Sequence, residues 1–145
     1  RETGMDYLDR VETRWAFRIQ LPIGSRVPFH CTASGKTFLA SLPMAKLKNF
    51  LATLHLQAMT KNTHVSTVTL LAEISQVRKN GYALDQEEFM DDMVAIAVPV
   101  TDPKNRYIAA LAFHGPTQRV NIPDAIKSKE LLQSAARRIS ESLFA

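Results

Sequence analysis

His30, Cys31, Ser34 and Lys36 fall close together in Pro28-Phe29-His30-Cys31-Thr32-Ala33-Ser34-Gly35-Lys36-Thr37. Four chemistries use such residues. Gly35-Lys36-Thr37 has the ending of a phosphate-binding P-loop, whose backbone wraps the phosphates only with a glycine five residues before Gly35. His30 stands there, which excludes nucleotide binding by this route. Ser34, with His30 or His114 and Asp85, supplies the residue types of a hydrolase triad. No Gly-x-Ser-x-Gly elbow surrounds Ser34, so a hydrolase using Ser34 or Cys31 stands only as an alternative. Cys31, His30, Asp85, Glu87, Glu88, Asp91 and Asp92 are metal-ligand types, but the spacing of zinc sites is missing. No catalytic residue, metal or cofactor is therefore assigned. The fourth chemistry fits best. Thr32 can cap a helix, and Ala33, Ser34 and Gly35 keep its first N–H groups approachable. Unpaired donors and the positive dipole end make such a helix start a cradle for an anion.

The elements that must position this cradle can be read on either side. Tyr7 to Val11 and Trp15 to Leu21 alternate apolar and polar residues and read as strands. Pro22-Ile23-Gly24-Ser25 is turn chemistry. The helix opened by Thr32 is predicted to run to about Ser41, stopped by Pro43, with a second helix over Lys46 to Leu54. Gln57 to Thr67 reads as a polar loop, with Ser66 or Thr67 capping a helix whose stripe is Leu70, Leu71, Ile74 and Val77. Gly81 closes that helix. The acidic run after Leu84 reads as a solvated loop at Glu87, Glu88, Asp91 and Asp92, while Asp85, beside Leu84, is expected to turn inward. A last helix is predicted with Asp124 as its cap.

Val94 to Val100 and Tyr107 to His114 read as a hairpin around Asp102-Pro103-Lys104-Asn105-Arg106. With Val100 paired to Tyr107, Ala95 faces Ala112 and Met93 faces His114. One face is then bulky, carrying Tyr107 with Leu111 and Phe113. The other is lined with alanine and has His114 at its rim. Either a helix packs closely on that alanine face, or its small side chains leave room for a ligand. His114, as a ligand contact, would titrate near neutrality.

With 145 residues, 46% apolar and 22% charged, the chain is expected to form one domain with one core. No apolar run reaches the ~18–20 residues of a membrane span. Cys31 is the single cysteine, so no internal disulfide can form, and a reducing cytoplasmic setting is expected. The net charge of +4 is spread along the chain, which reads as solvated surface rather than a nucleic-acid patch.

Several stretches together carry a resemblance: Tyr7-Leu8-Asp9-Arg10-Val11-Glu12, the run from Gly24 to Lys36, the run from Arg78 to Glu88, Ile96-Ala97-Val98-Pro99-Val100 with Asp102, and Gly115-Pro116 with Arg119. In this order they resemble the C-terminal effector-binding domain of the IclR family of bacterial transcription regulators. The resemblance implies an α/β (α+β) fold similar to GAF and profilin-like domains: a central, mostly antiparallel sheet with helices on both sides. It implies that residues 1–145 form a ligand-sensing domain for a small organic acid. Operator DNA would be bound only through an N-terminal winged helix-turn-helix, which this sequence lacks. The family works as homodimers or homotetramers, so a dimerisation or tetramerisation module without ligand is the alternative.

The resemblance also implies site residues. Ala33 and Ser34, with Gly35, match the backbone donors for an effector carboxylate. Asp85 matches the acidic pocket residue, Ala95 a residue on the next strand, and Ala112 and His114 two small polar positions before the Gly-Pro turn. Alanines at two of these positions depart from the family pattern and point to a larger or more aromatic ligand. Trp15, Phe29, Met90 and Met93 are candidate walls. The resemblance thus favours a cavity at the alanine face. A further departure lies at Thr3-Gly4, which runs almost directly into Met5 where the family has an additional strand, so a segment between Gly4 and Met5 is shortened or missing.

Overall fold

The computed structural model describes residues 4–10 and 23–145. Two short strands, β1 (Met5–Asp6) and β2 (Arg26–Val27), pair antiparallel. Three helices follow: α1 (Ala33–Ser41), α2 (Met44–Thr53) and α3 (Thr67–Asn80). Strands β3 (Ala83–Gln86), β4 (Met93–Thr101) and β5 (Tyr107–Pro116) form an antiparallel sheet in that order. Helices α4 (Ile122–Lys127) and α5 (Lys129–Phe144) end the chain.

The helix boundaries follow local chemistry. Thr32 accepts the Gly35 N–H at 3.0 Å, and its own hydroxyl donates to the Pro28 carbonyl at 2.7 Å, which ties the cap to the preceding turn. Ser66 caps α3 by accepting the Val68 N–H, and Gly81 closes it in the left-handed conformation at φ 78°. The last helix differs from expectation. Asn121, not Asp124, is the cap: its side-chain oxygen accepts the Asp124 N–H at 2.8 Å, and the helix breaks at Ser128 into α4 and α5.

The first strand is displaced from the one read over Tyr7 to Val11: it lies at Met5–Asp6, and Tyr7 to Arg10 are not strand. Its ladder ends at Asp6, although Tyr7 still donates to the Ser25 carbonyl and accepts from the Gly24 N–H. Leu8, Asp9 and Arg10 are exposed. Val11 and the strand read over Trp15 to Leu21 lie outside the described residues, as does Trp15 as a wall.

In the hairpin the register differs by two residues from the expected one. Ala95 pairs with His114, Ala97 with Ala112, and Val100 with Ala109, while Thr101 pairs with Tyr107 across a bulge. Asp102 causes this. Its Oδ1 accepts the N–H groups of Lys104 and Arg106, its Oδ2 accepts from Arg106 Nε at 2.6 Å, and Asn105 takes φ 61°. The tight turn absorbs the loop, and the extra residue goes into the strand. A slip of two keeps every other side chain on its expected face, because the strand period is two. The bulge moves Tyr107 to the alanine face, where its hydroxyl meets Thr37 Oγ1 of α1 at 3.0 Å.

Helices cover both faces. Ala33 and Ala40 of α1 and Val77 of α3 pack with Ala83, Ala95 and Ala97 on one. On the other, Leu132 and Ala136 of α5 meet Val98, Val100 and Leu111, and Ala125 of α4 meets Val94 and Ile96. A further core lies among α1, α2 and α3, where Phe29 stacks on Phe38 at 5.1 Å beside Leu39, Leu47, Leu51, Leu70 and Ile74. The architecture is α+β, an antiparallel sheet with helices on both sides.

Candidate ligand-binding site

The start of α1 is set by the 29–32 turn. A Cβ on Gly35 would lie 2.4 Å from the Phe29 carbonyl oxygen and 2.5 Å from its Cα, so only glycine lets the helix rest on that turn. Gly35→Ala is expected to cost about 2–3 kcal/mol, because backbone must move to relieve the overlap. The urea midpoint measures it, and an unchanged midpoint would contradict the packing. Thr32 uses the N–H groups of Gly35 and Lys36. Those of Ala33 and Ser34 are left without a protein partner among the described residues.

The sheet lays out the other predicted residues in rows. Asp85 on β3 pairs with Ala95 on β4, and Ala95 pairs with His114 on β5. The next row is Ala83, Ala97 and Ala112. All six share the face covered by α1. Ala33 and Ala95 lie in one buried cluster, so the helix start, Asp85, Ala95 and His114 are brought together. Ala112 is one row further along and is exposed. The alanine face therefore divides. Close packing of α1 explains Ala83, Ala95 and Ala97, whereas Ala112 on β5 is exposed.

The electrostatics of the first row are unusual. Asp85 is 1% exposed, and its carboxyl is pushed up to about 7. Burial is the main cause, with the Glu88 charge adding to it, and the Glu88 N–H and Lys36 hold it back in part. Its Oδ1 accepts the Glu88 N–H at 2.8 Å. Burial lowers His114 below the ordinary histidine value, which favours the neutral ring at neutral pH. Tyr7, which the sequence did not mark for this site, meets the His114 ring edge-on at 6.1 Å. Its hydroxyl is pushed up to about 12 by burial and by Asp85.

Two further groups escape the sequence reading. Lys36 is fully buried, and Glu88 is 4% exposed rather than part of a solvated loop. Lys36 Nζ donates to Glu88 Oε1 at 2.8 Å and Oε2 at 3.1 Å, and to Glu73 Oε2 of α3 at 3.0 Å. A lysine one turn inside an apolar helix was the available signal for the first. Nothing in a run of acids singles out Glu88. Of the other acids, Asp91 and Asp92 are exposed as read, whereas Glu87 is half-buried.

His64, Glu73 and Glu88 offer ligand atoms within 4.8 Å of one another, but the Lys36 ammonium already pairs with both carboxylates. Cys31 is buried and its thiol is pushed up to about 12, mainly by burial, which keeps it from acting as a nucleophile. Ser34 Oγ has no histidine partner among the described residues. Phe29 belongs to the core of α1 to α3, and Met90 is exposed, so neither is a wall. Met93 is buried, two residues before Ala95 on the same face. No helix of the described residues is long and apolar enough to cross a membrane.

The family model described as bacterial transcriptional regulator IclR C-terminal matches residues 1–141. The probable transcriptional regulator SauR of Cupriavidus necator is 42% identical over 116 residues, 80% of this chain and 46% of SauR. The IclR structure of Thermotoga maritima superposes with a TM-score of 0.88 at 29% identity, covering 97% of this chain and 57% of that one. A double mutant of the PobR inducer binding domain of Acinetobacter, in complex with 3-hydroxy benzoic acid, superposes with a TM-score of 0.85 at 28% identity, covering 97% and 83%. The chain spans about half the length of the curated relatives it matches. These matches are regulators, and none favours a hydrolase.

Proposed function

This chain belongs to the family of IclR C-terminal domains of bacterial transcriptional regulators, and on that premise we propose that it senses a small organic acid. The acid's carboxylate accepts the N–H groups of Ala33 and Ser34, beside Gly35. Its apolar or aromatic body lies along Ala95 and Ala112. Asp85 and His114 select polar substituents. The observation that carries this reading is the row Asp85, Ala95, His114 beneath a helix start with two unpartnered donors. A buried carboxyl, a neutral imidazole and small apolar side chains are the lining of a small-molecule site. The PobR domain bound to 3-hydroxy benzoic acid, at 28% identity, supports an aromatic acid as the class to try first.

In the full-length protein, the acid modulates operator binding by a winged-helix domain within a cytoplasmic homodimer or homotetramer. It does so only to the extent that it binds the two arrangements with different affinity. Calorimetry with benzoic, 3-hydroxybenzoic, pyruvic and glyoxylic acids tests the reading, and binding of at least one is expected. Ser34→Trp fills the helix start from a half-buried position. It should abolish binding while leaving thermal unfolding unchanged; retained affinity would mean the site lies elsewhere. Failure of every acid would favour a module that only assembles the oligomer.

A further inference from the structure

We propose that Lys36 is a positioning residue for this site: through Glu88 it fixes the Asp85 carboxyl against the start of α1 and sets how readily that carboxyl takes up a proton. The proposal rests on the effector-site reading and names a control of the same site.

The contacts form a continuous chain. Lys36 lies one turn beyond Ala33, so it moves with the two unpartnered donors. Its ammonium holds both oxygens of Glu88, on the segment between β3 and β4, and one oxygen of Glu73 on α3. Three elements thus meet on one buried cation. Glu88 is fixed at every polar atom. Its Oε2 also accepts the Gln86 N–H at 3.0 Å, its carbonyl accepts from Thr63 Oγ1 at 2.6 Å, and its N–H donates to Asp85 Oδ1 at 2.8 Å. The last bond hands the position of Glu88 on to the Asp85 carboxyl. Threonines of the polar loop add a clasp, with Thr60 Oγ1 donating to the Glu87 carbonyl at 2.5 Å.

The titratable and charged groups around Asp85 come from each neighbouring element. Tyr7 faces it from the segment after β1, Cys31 from before α1, Lys36 from α1 and Glu88 from its own loop, while His114 lies across Ala95 on β5. Lys36 and Glu88 act on it with opposite sign: the cation favours the carboxylate and the anion disfavours it. An acid docking at Ala33 and Ser34 adds a second negative charge to the same surroundings. Proton uptake by Asp85 then accompanies binding, and Lys36 limits how large that uptake is.

Opposite signs give a test that a purely structural role does not pass. The Asp85 carboxyl is followed by carbon NMR through a pH titration of the chain without ligand. Glu88→Gln should move its midpoint down and Lys36→Met should move it up, each by about one pH unit. The double variant should fall between them. Glu88→Gln keeps the Lys36–Glu73 pair, so it remains decisive even where Lys36→Met does not fold. Midpoints that stay put, or move the same way, overturn the proposal. The acid from the panel that binds best is then titrated into Glu88→Gln, where a loss of about tenfold is expected from a mispositioned Asp85. If no acid binds the unaltered chain, the effector reading fails, while the midpoints still decide whether Lys36 controls Asp85.

Discussion

Asp85→Asn is expected to stabilise the protein above neutral pH and to leave it nearly unchanged in acid. The sign follows from where the proton binds more tightly. In the unfolded chain Asp85 titrates at its ordinary value of 3.8, whereas in the folded state burial moves it to about 7. Between these values the folded state holds a proton that the unfolded state has released. Folding then takes up a proton, so this group makes stability fall as pH rises through the window. Below the lower value both states are protonated and the group contributes nothing. Above the upper value the full cost is present, a few kcal/mol and about 4 at most, since one unit is about 1.4 kcal/mol. Asparagine keeps an oxygen for the Glu88 N–H and carries no charge to desolvate. Urea unfolding of both proteins at about pH 5 and about pH 8 measures the difference. It should be about two- to threefold larger at the higher pH, because pH 5 already lies inside the window. Asp102 shifts the opposite way, held low first by the Arg106 N–H, so the comparison between proteins isolates Asp85. An equal difference at both pH values would show that Asp85 ionises normally in the fold.

Lys36→Met is expected to be the most damaging single change at the site, costing about 3–5 kcal/mol at neutral pH. The side chain is fully buried and pairs with Glu88, itself nearly buried. Removing the cation leaves Glu88 facing Glu73 with nothing between them, and a buried charge without a partner is the costly case. The pair itself adds little net stability, because burying two charges offsets most of their attraction. The loss in the single variant should therefore exceed that in Lys36→Met with Glu88→Gln, where no nearly buried anion is stranded. Denaturant unfolding of the two single variants and the double variant gives the coupling directly. Additive losses would mean that the two side chains do not interact in solution.

Much of this was legible in the residues. Thr32 and Ser66 as caps and Gly81 as a stop are local chemistry, and each was where expected. The alternation of Val94 to Val100 with alanines determined which residues share a face, and that survived an error of two in the pairing. Asp85 turned inward as read. Lys36 and Glu88 were not legible as a pair. They are far apart in the chain, and an acid in an acidic run carries no mark of being the one that is buried. Tyr7 was missed for the same reason, since its contact with His114 is a tertiary event.

The sequence by itself determined most of the elements, the caps at Thr32 and Ser66 and the stop at Gly81, the faces of the hairpin and, through scattered matches in order, the family. These depend on neighbours within a few residues, whose preferences act before the chain is compact. Only the tertiary structure decided the rest. Asp102 gathered the turn and pushed a bulge into the hairpin, which moved Tyr107 to the other face and placed His114 opposite Ala95. Docking of α1 divided the alanine face into a packed part and an exposed part. Burial then set the charges, raising Asp85, keeping His114 neutral and joining Lys36 to Glu88. The helix start had the donors for any anion. Its setting beside Asp85, Ala95 and His114 depends on desolvation and distance, which exist only once the chain has closed around them.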